Sequence, residues 1–493
     1  GFGLFCHGHH PRGSKDRISR VQPQRDQMNI LDCSIGVVNS FIRQDATIQS
    51  FVCTDHEIRS TVMDRSQQRL YPNEDESQEP RPNLSRRTIL AGSAAVGTAA
   101  TAGCLGGDGN GDDETGDDSG SGEVVTRPTM FVFNTGDGTV SLVDVETDSV
   151  VETRSLGMTA SFPSNQFSPQ LTDDTEKPLW LNVDDGVRAV STGPLEELAE
   201  IETGSGANWQ EQTPDGSHLV VSTREPAHRQ FKIDADRDSD SFGEVTGEIE
   251  RESEGGRGDN DGPGPCDVTI HPDGEYAYVP DLFGDTLTVL DIEAFEIVNQ
   301  IDVESADGAA PAPWMGTAAW DGQRLLVEHN NGSVGSESIW DLSDPTEPVE
   351  QSRLVPEDGL GEGPLTSEIG PDSEFGYVFT PGTNDVSVID LDAGEVDGRL
   401  DLDGSAFVGS WDPDRTKLYA PVQTSGEVAV IDSEQREIVD TIAVGPEPYG
   451  VTAATVRLET GGEAAEGLPA LEQLTGEYET TYCIGECACG HEL

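Results

Sequence analysis

The sequence predicts an all-β protein, a closed ring of seven four-stranded sheets, and three observations carry that expectation. Short runs of β-branched and aromatic residues recur along the chain with tight-turn residues between them. Copies of this unit follow one another at roughly 40 to 60 residues, the length of a four-stranded blade. One inner strand is left over after the last copy, as expected of a ring closed by its own C-terminal end. Together they specify a seven-bladed β-propeller over 129–456.

The first unit reads 130–133, a Gly-Asp-Gly turn, 140–144 and 150–153. Alternation over so few residues between turn signals is the pattern of strands joined by hairpins. The cadence returns at 276–279, 287–291 and 297–298, at 376–379 with 386–390, and at 417–419 with 428–432 and 438–439. Weaker copies lie at 179–201, 218–249 and 324–354, the second with an acidic, glycine-rich insertion over 234–262. A predicted inner strand precedes each copy, near 162–169, 208–214, 266–272, 314–320, 365–371 and 407–413, with a seventh at 449–456. The seventh has no copy after it, and the unit at Met130 has no inner strand before it. These two segments should therefore pair and complete blade one.

The motifs His271-Pro272-Asp273-Gly274, Tyr278-Val279, Val289-Leu290-Asp291 and the closing Val444-Gly445 make the chain similar to the YVTN-type seven-bladed propellers. That family includes YncE-like and surface-layer proteins. The resemblance covers about two thirds of the chain and implies the fold. It implies function weakly, because such rings serve as lactonase-like enzymes, haem domains and plain surface proteins.

Charge narrows the choice. With 93 acidic against 29 basic residues and a net charge of −64, binding to nucleic acid or an anionic membrane by charge attraction is excluded. Lysine occurs only at 15, 177, 232 and 417, and the bias resembles that of haloarchaeal proteins. At molar salt the screening length is about 3 Å, so exposed carboxylates scarcely repel one another. Residues 1–62 stand apart, with seven basic and six acidic side chains, and read as an upstream extension ahead of a start at Met63. A zinc site from Cys6, Cys33, Cys53 and the histidines there is the competing reading. The segment 63–104 reads as an export signal. Arg86 and Arg87 form a twin-arginine motif, and the weakly apolar run 89–102 is too short to cross a hydrocarbon core of about 30 Å. Thr101-Ala102-Gly103-Cys104 resembles a lipobox, which implies lipidation at Cys104. The run 105–128 of Gly, Asp, Glu and Ser reads as an acidic flexible tether.

Two groups of residues could carry chemistry. Glu211, Asp267 and Glu368 fall at or near inner strands and are the catalytic candidates, against the expectation that acids occur anywhere in so acidic a chain. Trp209, Trp314, Phe407 and Tyr449 near the inner-strand starts either rim a ligand funnel or pack between blades. His218, His228, His271 and His329 are dispersed over turns and second strands, are expected at turns or the surface, and cannot supply the tetracopper site of nitrous oxide reductases.

The second group is the tail within 457–493, where a helical-looking linker leads to Cys483, Cys487, Cys489 and His491. Three thiols and an imidazole suit Cu(I) or zinc. The spacing of Cys483, Cys487 and His491 also resembles the ligand loop of dinuclear copper A centres. It departs from that loop in having no cupredoxin-like domain before it and Leu493 where the family has methionine, so no intact electron-transfer centre is implied. Disulfides are the alternative, with Cys266 as a fourth thiol.

The expectation is thus a Tat-exported, lipid-anchored propeller on the outer face of the cell membrane, binding a surface ligand or protein without being an enzyme. Copper or zinc would be its only cofactor, at the tail. A lactonase-like hydrolase using funnel carboxylates is the competing class.

Overall fold

The computed structural model describes residues 123–459, apart from 159, 161, 162, 164, 165, 259, 306, 307, 332 and 333. Arg86, Arg87, Cys104, Cys483, Cys487, Cys489 and His491 lie outside the described residues.

Seven antiparallel sheets make the seven blades of a β-propeller, six of them four-stranded and one three-stranded among the described residues. The fourth blade shows the unit. An inner strand Thr269–Ile270 pairs with Tyr276–Asp281, then Thr286–Asp291, then the outer strand Glu296–Asp302. Its second and third strands are buried on both faces, so both read as near-continuous apolar runs. Outer strands cover one face only and alternate exposed with half-buried, as over Ser149–Ser155 and Glu395–Asp401. Alternation sends neighbouring side chains to opposite blades. Met130 and Val132 pack with Tyr419, Val428 and Val430 of the seventh blade, while Phe131 and Phe133 pack with Leu179 and Leu181 of the second.

The third strand of most copies ends in Asp for a local reason. Asp144, Asp234, Asp291, Asp341, Asp390 and Asp432 each accept backbone N–H groups two or three residues on, at 2.7 to 3.1 Å. The carboxylate thereby holds the turn into the outer strand. The second blade does the same with Ser191, whose hydroxyl accepts from Glu196 at 3.0 Å.

Closure follows the expected pairing. Pro448–Glu459 runs antiparallel to Glu123–Asn134, with Met130 opposite Ala453 and Val132 opposite Val451. Both strands span 12 residues, so the pairing reaches past the ends expected from the repeat, to Glu123 and Glu459. A register shift between Thr126 and Thr129 brackets Pro128, which has no N–H for the ladder. Arg457 seals the joint, donating to buried Asp144 at 2.7 Å.

In the second blade the expected inner segment, 162–169, lies partly outside the described residues. No inner strand is assigned at its expected place among the described residues. Where that segment ends the chain forms a short helix, Ser168–Leu171, with Pro169 in its first turn. Its Thr172 hydroxyl donates to Ala453 of the closing strand at 2.9 Å, and Thr455 N–H donates to the Thr172 carbonyl at 3.0 Å.

Candidate functional site: the central channel

Seven blades place seven inner edges around one axis, and an inner edge carries backbone groups with no ladder partner. Side chains of adjacent blades supply many of them. Asn208 donates to the Cys266 carbonyl at 2.6 Å, Thr317 to Ser367 at 2.7 Å and Thr366 to Phe407 at 2.7 Å. In the other sense, Ala318 N–H donates to the Thr269 hydroxyl at 3.1 Å. The ring is laced from blade to blade at its centre.

The carboxylates singled out from the sequence belong to this lacing. Asp267 accepts from Val268 N–H at 2.6 Å with one oxygen and from Gly316 N–H, one blade on, at 2.7 Å with the other. Glu211 accepts from Ile270 N–H of the next blade at 3.2 Å, and its second oxygen has no hydrogen-bond partner. Glu368 is 5% exposed, Glu211 2% and Asp267 1%. Burial pushes all three carboxyls well above the usual carboxylate range. The charges of Asp267 and then Glu368 add to the rise at Glu211, and those of Glu328 and then Asp267 to the rise at Glu368. The Gly316 N–H opposes it at Asp267. The three acids therefore form one electrostatic group, held in a dry layer.

Hydrophobic side chains seal that layer. Trp209, Trp314, Leu365, Phe407 and Tyr449 are 3% to 7% exposed and, with Cys266 and Phe167, belong to one apolar cluster that draws on every blade. Phe407 and Tyr449 stack with centroids 5.0 Å apart and planes at 4°. Of the two readings open for these aromatics, packing is the observed one. Phe167 meets Trp320 edge-on at 5.7 Å, and the Arg415 guanidinium lies 4.3 Å from the Trp320 ring centre.

The histidines are not all at turns or the surface as expected. His329 is fully buried, with Nε2 2.7 Å from the Ser338 hydroxyl and Nδ1 3.0 Å from the Pro311 carbonyl. Burial, then the Arg353 charge, hold its pKa well below the usual value, so it stays neutral. His228 is 2% exposed and accepts from Gly264 N–H at 3.2 Å. Both are structural because a neutral imidazole can satisfy two buried polar groups at once. Cys266 is 2% exposed, 3.2 Å from the Asn208 amide and 3.8 Å from the Met315 sulfur. The tail cysteines that the disulfide reading pairs with Cys266 lie outside the described residues. Among the described residues no three His, Cys, Asp or Glu side chains converge as a metal-binding set.

Two further acids belong to the electrostatic group and escape a reading based on inner strands. Glu328 and Glu337 sit opposite each other on the second and third strands of the fifth blade, both fully buried. A signal for them exists in the repeat. The same paired places hold Pro280 with Leu287, Phe379 with Val386 and Pro421 with Val428 in other blades.

No protein-family model and no curated protein matches the chain. Solved structures do. A periplasmic gluconolactonase of Pseudomonas aeruginosa superposes with a TM-score of 0.52 at 14% identity, over 69% of this chain and 100% of its own. A Lactobacillus plantarum protein gives 0.53 at 14% identity, over 67% and 99%, and a putative 6-phosphogluconolactonase of Bacteroides fragilis gives 0.51 at 15%, over 69% and 99%. At such identities the likeness shows the fold, a seven-bladed β-propeller with neighbours of the lactonase type.

Proposed function

We propose that this chain is an exported, lipid-anchored cell-surface propeller that acts as a binding scaffold, its ring a rigid display platform and its central acids structural. The observation that supports this most is the state of the inner-strand carboxylates. Asp267 spends both oxygens on backbone N–H groups and Glu211 one of them, under a layer of aromatic and aliphatic side chains. A general base or nucleophile needs access to substrate, and the burial of these carboxyls supports a structural role. Arg86 and Arg87 supply the export motif and Cys104 the anchor, while Cys483, Cys487, Cys489 and His491 supply soft donors for copper or zinc.

A lactonase-like hydrolase is the second reading, favoured by the convergence of Glu211, Asp267 and Glu368 and by the gluconolactonase among the fold neighbours. One assay separates the two. The full-length protein, purified at high salt, is expected to hydrolyse gluconolactone no faster than buffer. Hydrolysis that Glu211→Gln or Glu368→Gln abolishes in a folded variant would establish the enzyme and sink the scaffold.

The tail is tested by metal stoichiometry of the reduced protein beside a variant with Cys483, Cys487 and Cys489 changed to Ser. The wild type is expected to retain copper or zinc that the variant loses. Equal metal content removes the site.

A further inference from the structure

Glu328 and Glu337 pose a problem that the channel does not solve. They face each other across Arg324–His329 and Ser336–Asp341, where cross-strand Cβ atoms lie about 4.5 to 5.5 Å apart. Neither is exposed to solvent, and none of their four carboxyl oxygens has a hydrogen-bond partner. No basic side chain pairs with them among the described residues. Arg353, whose charge partly opposes the rise at Glu337, bonds Glu350 at 2.7 and 2.9 Å through Nη2 and Nε, and its buried Nη1 has no hydrogen-bond partner. The hydroxyl of Ser367, on the inner strand of the sixth blade and 4% exposed, lies near Glu328 and also lacks a partner. Burial pushes the Glu328 carboxyl up to about 8, and Glu337 rises further from burial and from the charge of Glu328. Glu368 and Asp267 both feel the same negative field.

Unpaired like charges in a dry interior cost several kcal/mol each, and the fourth, sixth and seventh blades hold apolar pairs at the same two places, the second and third uncharged ones, Asn182 with Val187 and Ser222 with Gln230. Something must offset the charge here. We propose that Glu328 and Glu337 hold a calcium ion between the fifth and sixth blades, with the Ser367 hydroxyl as a further ligand. Two carboxylates balance one divalent cation. Two bidentate carboxylates and a hydroxyl give five of the six to eight oxygens calcium takes at about 2.3 to 2.6 Å. Magnesium fits less well, since it keeps several waters and demands octahedral geometry that two chelating carboxylates do not provide. The ion would also relieve Glu368 and Asp267, joining the site to the central acid layer without lying in the channel.

The test uses full-length protein in about molar KCl, where exposed carboxylates are screened over roughly 3 Å and surface calcium is washed away. Wild-type protein is expected to keep one equivalent of calcium through desalting, and the double variant Glu328→Gln with Glu337→Gln none. EDTA should lower the unfolding temperature of the wild type, calcium should restore it, and the variant should ignore both. Equal calcium in the two proteins overturns the proposal. So does a calcium-free wild type whose unfolding is indifferent to EDTA, the result expected if protons alone neutralise the pair. Should the double variant fail to fold, Glu337→Asp keeps the charge but withdraws the carboxylate by one methylene. It must bind calcium more weakly than the wild type, and unchanged affinity overturns the site.

Discussion

Single residues carry strain and charge that the repeat hides. In the third to seventh blades the turn after the inner strand holds a left-handed residue, Gly216, Gly274 and Gly322 at φ of 74°, 76° and 69°, but Ser373 at 60° and Arg415 at 56°. Arg415 occupies a position that disfavours it and stacks on Trp320 from there. Gly274→Ala, whose Cβ would meet nothing nearer than Pro214 at 3.4 Å, isolates the backbone cost of about 1 to 2 kcal/mol. Denaturant unfolding should show a loss of that size, and no loss would mean the turn relaxes. The central acids make a second prediction. A carboxyl whose folded pKa is raised contributes fully below its unfolded value of about 4.3, and stability is lost as pH rises toward the folded value. Glu211→Gln removes one such group, so unfolding free energy should fall less steeply from about pH 4.3 upward than in the wild type. Identical slopes would place that carboxyl in water. Glu211, Asp267 and Glu368 were legible because inner strands sit at fixed offsets from the Pro-Asp-Gly turns. Glu328 and Glu337 were not singled out, because in a chain with 93 acids only a comparison of paired positions across blades sets them apart.

At the scale of the element, the closing strand is the joint on which the ring depends. Removing everything from Gly445 onward deletes Pro448–Glu459, strips the partner from Glu123–Asn134 and bares a sheet edge. That truncation should aggregate, whereas deletion from Thr475 should leave a soluble, cooperatively unfolding protein. A soluble product from the longer deletion would count against closure as the stabilising step. Arg457→Met tests the joint more finely, since it leaves Asp144 buried without its main partner. Breaking such a pair from one side costs about 3 to 5 kcal/mol, measurable by equilibrium unfolding. The second blade shows where pattern reading stops. Next to its inner place the chain forms Ser168–Leu171, and Thr172 at the end of that helix donates to Ala453 and accepts from Thr455 of the closing strand. Pairing between distant segments decided it, and no local propensity reports that.

For the whole molecule, the excess of acid sets the conditions under which the ring is stable. With a net charge of −64, repulsion opposes the compact state until salt screens it. Unfolding temperatures should climb between about 0.1 M and 1 M salt, as the screening length falls from roughly 10 to 3 Å. A flat response would mean that the exposed carboxylates are already neutralised by bound cations.

The sequence by itself determined the blade count, the strand order and the closure, because each rests on local patterns: two-residue alternation, turn residues, and an aspartate that holds the same turn in blade after blade. Only the tertiary structure decided which acids lose their water, that Trp209, Trp314, Phe407 and Tyr449 pack together, and that Glu328 confronts Glu337 with no hydrogen bond to any carboxyl oxygen of either. Burial and electrostatic pairing are set by side chains from two adjacent blades, brought together across long stretches of chain. A one-dimensional pattern records each residue's own strand, and the charge of its neighbour belongs to another.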